Sequence, residues 1–373
     1  MSSESSPDSS ENTSSRVSIA VIGGGVIGLS LAWRLAQGGA DVTLFDAGSR
    51  DMGGTWAAAG MLAPNLESRE LPASLVAFNH RSADMWPAFA NELEGSTGID
   101  IGYRVEGTLL IDPTPEDEAN GTLKNTGALR ELEPFLAAPY RNAVFFDRDH
   151  AVDARALLRA LTWGCRQVGV SVRGDTSVDR VQVLKSGQFR LSVPGLTEFD
   201  KVVLATGAWT KQLLDQSSIP MLPIDPIKGQ MLCLQMDPET PLVRHVMWGE
   251  GVYLVPRTDG RLVIGATMED AGFDTSITTE AIAGLRIKAQ RLVPGLSDLP
   301  VNEMWTGFRA GSPDMAPLLG PWAYRDLFVA AGHHRNGILQ APATAEALSR
   351  QILTGHHQEC LIPFSPSRFW QKD

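Results

Sequence analysis

The chain has 373 residues, 43% of them hydrophobic and 20% charged, a balance that fits a soluble globular protein long enough for two or three domains. Its formal charge of −11 and pI near 5.2 argue against nucleic acid or an anionic membrane as the main partner, while leaving room for a locally basic pocket around an anionic substrate. Three widely spaced cysteines (Cys165, Cys233, Cys360) form no CxxC motif and fit reduced thiols in a cytoplasm.

Residues 1–15, MSSESSPDSSENTSS, hold almost nothing apolar to bury and are expected to be disordered, with no secretory signal. No apolar run of the chain is long enough to span a bilayer. Residues 17–46 then read as strand, helix and strand: Ile27, Leu31 and Leu35 recur every four residues, and Gln37-Gly-Gly-Ala40 ends the helix. The turn between strand and helix is a GxGxxG sequence. Gly23 permits the tight bend, Gly25 lets the backbone approach a pyrophosphate, and Gly28 allows close helix packing. The helix N-terminus then favours negative charge. Asp46 lies 18 residues past Gly28, at the end of the second strand, where its carboxylate can accept hydrogen bonds from an adenosine ribose. These residues predict a bound dinucleotide and do not separate NAD from FAD.

A second buried parallel strand is expected at Lys201–Gly207 and a third at Leu327–Gly332, the latter followed by a closing helix with Ile338, Ala345, Leu348 and Ile352 on its apolar face. Pro342 is expected either to kink that helix or to mark its first turn. Residues 220–319 are instead rich in short strands and turns, the clearest being a hairpin from Gly251 to Met268 around Asp259-Gly260. With those two residues as the loop, Tyr253 lies opposite Ala266 and Met268 projects from the same face one diagonal step away. The histidine pairs His333-His334 and His356-His357 lack the spacing of a helical metal site, so no metal is expected. Segments of different texture alternate, which points to two interleaved domains, and no internal repeat is found.

Further segments carry a resemblance. Gly53-Gly-Thr-Trp-Ala-Ala-Ala-Gly-Met-Leu-Ala-Pro64, Ala205-Thr-Gly-Ala-Trp209, Trp305-Thr-Gly-Phe-Arg309 and Ala330-Ala-Gly-His-His-Arg-Asn-Gly-Ile-Leu-Gln-Ala-Pro342 occur in this order. Together they resemble the D-amino-acid oxidase superfamily of FAD enzymes, and most closely its glycine oxidase branch, the ThiO type. The resemblance covers nearly the whole chain apart from the tail. It implies an α/β fold, α+β overall: a Rossmann-like FAD-binding domain (16–85, 148–219 and 320–366) interleaved with a mainly antiparallel substrate-binding domain (86–147 and 220–319), as in D-amino-acid oxidase and glutathione reductase. FAD is then the dinucleotide, and its contacts are expected from Gly23, Gly25, Val26, Ile27, Gly28, Asp46, Thr55, Ala57, Ala58, Ala59, Gly60, Met61, Val178, Thr206, Gly207, Trp209, Gly332, His333, His334, Arg335, Asn336, Gly337 and Ile338. Some relatives tether the flavin through a cysteine near the strand that here reads Gly307-Phe-Arg309, others through a histidine after a Thr-Trp pair. Here Ala57 follows Thr55-Trp56 and no cysteine lies near residue 307, so FAD is expected to be non-covalent.

The implied reaction is oxidation of glycine, with sarcosine and small D-amino acids as further substrates, by hydride transfer to flavin N5. Reoxidation by O2 yields H2O2, glyoxylate and ammonia, with the imine serving thiamine thiazole synthesis. The expected partners are a small amino acid and O2, and a homo-oligomer is the expected assembly. A dehydrogenase passing electrons to a quinone or carrier is the alternative on the same scaffold. Arg309 is expected to grip the substrate carboxylate bidentately; without the resemblance it reads as a strand-end arginine paired with an acid. Tyr253 either donates its phenol to the same carboxylate or packs across strands, and Met268 either narrows the cavity or fills core. Arg335 is either a second cation near substrate and flavin or a loop stabiliser. Gly332, Gly337 and Ile338 would offer backbone contacts to the isoalloxazine, with a helix N-terminus favouring negative charge on the reduced ring. No side chain stands out as a general base. Gly251 stands where some relatives carry a histidine two residues before the tyrosine, so the entrance loop is expected to differ.

Overall fold

The structure is a computed structural model that describes residues 16–48, 53–68, 71–195 and 198–370; the expected disordered tail lies outside them. Its first layer grows from the strand–helix–strand unit. Ser18–Ile22 (β1) is a continuous apolar run because both of its faces are buried. Ile19 and Val21 pack on one side with the helices, and Ala20 and Ile22 on the other with Phe189, Leu191 and Leu214. Val26–Gln37 (α1) starts after Gly25 and stops at Gly38, and Asp41–Phe45 (β2) returns parallel to β1. Lys201–Leu204 pairs parallel with the other edge of β1, Tyr324–Ala331 lies beyond it, and Ser171–Arg173 flanks β2. Leu318–Trp322 closes this six-stranded sheet as an antiparallel edge. Three inner strands thus end at Ile22, Leu204 and Ala331 and run into turns holding Gly23, Gly207 and Gly332. Ligands of open α/β sheets bind at such carboxyl ends.

The helical side of this sheet is covered by α1, the helix Ala154–Gln167 and the closing helix Gly337–Thr354. The short helix Gly54–Ala57 (α2) precedes Ala73–Thr97 (α3), which packs on the two longer partners of α1. Leu75, Phe78, Trp86, Phe89 and Leu93 form one buried stripe along α3, so a domain division at 85/86 would cut through a single helix. Pro342 sits inside the closing helix, five residues after its start, rather than in its first turn. The following amide, of Ala343, donates to Ser82 Oγ of α3 at 3.2 Å, so a neighbouring side chain takes up a helical donor at the proline.

A second, eight-stranded sheet has the spatial order Val301–Gly311, Asp225–Gln235, Arg261–Gly265, Val252–Pro256, Val246–Gly249, Thr108–Ile111, Ala143–Phe146 and Thr122–Lys124. All its pairs are antiparallel except Val246–Gly249 with Thr108–Ile111. One face is covered by the helix Thr279–Leu292, with Leu232, Leu254 and Ile264 packed on Leu285 and Leu292. Met231, Val255, Val263 and Trp305 on the opposite face meet Ala57 and Ala59. The two layers therefore join along the α2 segment, and a cavity opens there. Among the described residues no helix is long and apolar enough to cross a membrane.

Candidate active site

The cavity, of 1010 Å³, runs from the ends of β1 and β2 to the face of the second sheet. At the first end the glycine turn is fixed by close approaches. Gly23 adopts φ +112°, and a Cβ there would lie 2.3 Å from the Ala205 carbonyl oxygen. At Gly28 a Cβ would lie 1.9 Å from the Gly23 carbonyl oxygen, so α1 could not sit this close with any side chain. Gly25 is the N-cap of α1, and the Val26 amide donates to Thr55 Oγ1 at 3.0 Å. Asp46 accepts from the amides of Gly24 at 2.7 Å and Gly48 at 3.0 Å. Gly24 thereby joins the site without having been singled out in the motif; a Cβ on it would meet Asp46 Oδ2 at 2.7 Å.

The segment after α2 is clamped from both layers. Trp305 Nε1 donates to the Ala57 carbonyl at 2.9 Å, and Arg257 donates to the Ala59 carbonyl. Arg155 donates to the Trp56 carbonyl at 3.4 Å, lies 3.7 Å above the Trp56 ring and pairs with Glu303 at 2.8 Å. Gly60 takes φ +76° with its would-be Cβ 1.9 Å from the Val152 carbonyl oxygen. Burial pulls the Arg257 guanidinium down to about 10, which leaves it charged at neutral pH. Ala57, Ala58, Ala59, Gly60 and Met61 all line the cavity.

At the other end Arg309, on Val301–Gly311, lies across Gly229 of the neighbouring strand: a Cβ there would be 2.6 Å from the guanidinium. Arg309 Nη1 donates to the Thr267 carbonyl at 3.2 Å. No described carboxylate lies within ion-pair distance of it, so its pairing with an acid is not observed. The Tyr253 hydroxyl stands 3.9 Å from Met231 Sδ, and its ring lies 5.5 Å from that of Trp248. Burial pushes its phenol up, against the opposing pull of Arg309.

The hairpin register corrects two expectations. Tyr253 pairs with Gly265 rather than Ala266, because the loop has three residues, Thr258 to Gly260, closed by Arg257 N to Arg261 O at 2.8 Å. Gly260 takes φ +85° and supplies the left-handed turn position of such loops. The Tyr253 ring therefore covers a glycine: a Cβ on Gly265 would be 2.5 Å from its hydroxyl. Beyond Gly265 the chain leaves the strand, its Thr267 side chain taking the Gln230 amide at 2.8 Å. Met268 is consequently 70% exposed at the cavity mouth instead of forming an inner wall or filling core.

The turn before the closing helix completes the site. His334 has φ 49° and its amide donates to the Ala310 carbonyl at 2.9 Å. Burial lowers His333 to about 3 and, with Arg309 and Arg335 adding to it, His334 to about 4, so both rings are neutral. Arg335 pairs with Glu67 Oε2 at 3.3 Å. Glu67 escaped the sequence reading; its one signal was its place just past the Gly53–Pro64 segment. Burial raises its carboxyl to about 7 despite Arg335, with Asp149 adding to the rise and Arg309 opposing it. The turn that carries Glu67 is held by buried Asp149, which accepts from the amides of Asn65 at 3.0 Å and Leu66 at 2.8 Å. Burial raises Asp149 itself to about 6 against those hydrogen bonds.

Of all the residues expected at the site, only Gly28 and Asn336 do not line the cavity. Gly28 stands behind the turn, and Asn336 is the buried N-cap of the closing helix, accepting from the Gln340 amide at 2.8 Å. The cavity therefore offers what a flavin dinucleotide needs: a side-chain-free turn and helix N-terminus for phosphates, a carboxylate for a ribose, and a long apolar-walled channel to a cationic end.

Comparisons with known proteins agree with this geometry. The sequence family described as "FAD dependent oxidoreductase" (DAO) matches residues 18–351. The chain is 36% identical over 364 residues to the "Bifunctional protein ThiO/ThiG" of Synechocystis sp., covering 94% of this chain and 54% of that protein. It thus spans about half the length of the bifunctional relatives. It is 33% identical to the "Glycine oxidase" of Pseudomonas aeruginosa, covering 94% of this chain and 98% of that one. The crystal structure of glycine oxidase from Geobacillus kaustophilus superposes with a TM-score of 0.87 at 30% identity, covering 95% of this chain and 100% of the other.

Proposed function

This chain belongs to the DAO family of FAD-dependent oxidoreductases, and from that premise we propose that it oxidises glycine: glycine, O2 and water give glyoxylate, ammonia and hydrogen peroxide. The observation that carries the reading is Arg309, a cavity-facing guanidinium laid over Gly229 beside the Tyr253 phenol. A planar fork with a phenol next to it matches a small carboxylate bidentately. Sarcosine and small D-amino acids share that carboxylate and are further substrates in this reading. FAD, held without a covalent bond, supplies the two-electron acceptor that O2 regenerates.

The chain's own residues bind and orient. Arg309 and Tyr253 fix the substrate carboxylate, and positioning of that kind is worth several orders of magnitude in rate. Thr267, through its carbonyl, holds the guanidinium in place. Trp248 and Met231 line the same end. The carbonyl clamps from Arg257 and Trp305 hold the Ala57–Ala59 backbone along the cavity where the resemblance puts the flavin. His333 and His334, kept neutral, add no positive charge beside Arg309. The same reading has the chain working as a homo-oligomer in the cytoplasm, with the imine product serving thiamine thiazole synthesis.

The test is product analysis of the aerobic reaction. Equal amounts of hydrogen peroxide, glyoxylate and ammonia from glycine support an oxidase. Turnover with an artificial quinone but without peroxide would replace it with the dehydrogenase alternative.

A further inference from the structure

Free glycine near neutrality is a zwitterion, and its ammonium must lose a proton before the nitrogen lone pair can assist departure of a hydride from Cα. Among the described residues lining the substrate end of the cavity, Glu67 is the carboxylate placed to take that proton, His333 and His334 being held at low basicity by burial. Of the acidic residues lining the cavity, Asp46 and Asp179 belong to the far end, near β2 and Val178, whereas Glu67 lies with Arg335 and Arg309. Its carboxylate is 7% exposed and reaches Arg335 Nε at 3.3 Å. The groups facing it come from every neighbouring element: Arg335 before the closing helix, Arg309 on Val301–Gly311, Tyr253 on Val252–Pro256, and Asp149, which also fixes its turn. With Arg309 taken by the substrate carboxylate, the anionic pole left for the ammonium is Glu67.

We propose that Glu67 receives the ammonium proton of the bound amino acid, acting as the amine-recognising and proton-accepting residue of the site; the proposal rests on the amino-acid-oxidising reading above. One N–H bond breaks and one O–H bond forms on the Glu67 carboxylate, with no change in electron count. The neutral amine is left beside the neutral acid, and the proton is available to the nitrogen again when ammonia departs. A carboxylate held near neutrality by burial is suited to this exchange, since it is ionised enough to accept and acidic enough to return the proton.

The test compares wild type with Glu67→Gln and Glu67→Asp, all loaded with FAD, in two measurements. The first is the anaerobic rate of flavin reduction by saturating glycine across pH. The wild-type rate should rise through pH about 7; Glu67→Gln should be slower at pH 7 by about 100-fold, with its profile displaced upward by at least one pH unit and converging with wild type at high pH. Glu67→Asp should restore the wild-type shape in part. A Glu67→Gln profile with unchanged midpoint, whether the rate is kept or lowered equally at every pH, overturns the proposal and leaves Glu67 as a holder of Arg335. The second measurement needs no turnover: acetate, a carboxylate without an amine, should bind wild type more tightly as pH falls through about 7, with proton uptake. Glu67→Gln should abolish that slope; a retained slope overturns the assignment. A wild type that binds acetate with this slope yet is never reduced by glycine refutes the glycine reading separately, and the proton transfer is then read on whichever small amino acid does reduce it.

Discussion

In the proposed reading recognition turns on Arg309, and its environment explains why an arginine is tolerated there. The cation finds space only because Gly229 has no side chain, and a single carbonyl, that of Thr267, accepts from it. Charge-assisted hydrogen bonds contribute about 1.5–3 kcal/mol. Arg309→Ala should therefore lower kcat/KM for glycine by about 100-fold while FAD content stays at the wild-type level. Arg309→Lys should recover only part of the loss, because it keeps the charge and not the fork. Steady-state kinetics together with the flavin-to-protein ratio checks both. Tyr253 and Arg309 were legible from the chain, but Gly229 and Gly265 were not. Their importance arises from a side chain on the adjacent strand, and nothing in a glycine's own neighbourhood reveals which strand will lie beside it.

At the scale of elements, the β1–α1–β2 unit was readable because its signals are local: an apolar run buried on both faces, a four-residue helical spacing and glycines at both helix ends. The Gly28 contact makes this unit sharply testable. Gly28→Ala places a methyl 1.9 Å from the Gly23 carbonyl, so α1 must shift away from the turn. The purified variant is expected to be colourless and to bind added FAD at least 100-fold more weakly, as measured by fluorescence titration; a yellow protein with normal affinity would refute this role of the turn. Longer-range features were less legible. Asp259-Gly260 signals a hairpin, yet a left-handed glycine fits the end of a three-residue loop as well as a two-residue one, and ties to the next strand decide it: Met236 N to Gly260 O is 2.8 Å. The spacing of Leu75, Phe78, Trp86, Phe89 and Leu93 carries α3 across 85/86, where the expected domain assignment had placed a division.

In the whole molecule, two sheets of different character meet around the Ala57–Gly60 segment, and His333, His334 and Glu67 line the cavity at that junction, with Asp149 beside Glu67. His333 and His334 are held neutral, so only the unfolded chain gains protons from them as pH falls below 6.5, and stability is lost on acidification. Glu67 and Asp149 act in the opposite sense: raised to about 7 and about 6, they take up protons in the folded state first, which adds stability as pH falls through those values. The opposing contributions separate in a variant. Relative to wild type, His333→Gln should gain stability from pH 6.5 toward pH 4 by up to about 1.4 kcal/mol per pH unit, read from urea unfolding of both proteins across that range; a constant difference would show that the ring is not held neutral. The family segments made the overall architecture and the cofactor legible in advance, whereas Glu67, Trp248 and the Arg257 clamp emerge only when the second sheet is laid against the first. The central claim, that this cavity oxidises glycine on bound FAD, is tested most directly by adding glycine to the purified yellow protein without oxygen. With one equivalent of glycine per flavin, the flavin absorbance should bleach and, on admission of air, return with one peroxide and one glyoxylate formed per flavin. A protein that retains its FAD and keeps its full absorbance in the presence of glycine would contradict it.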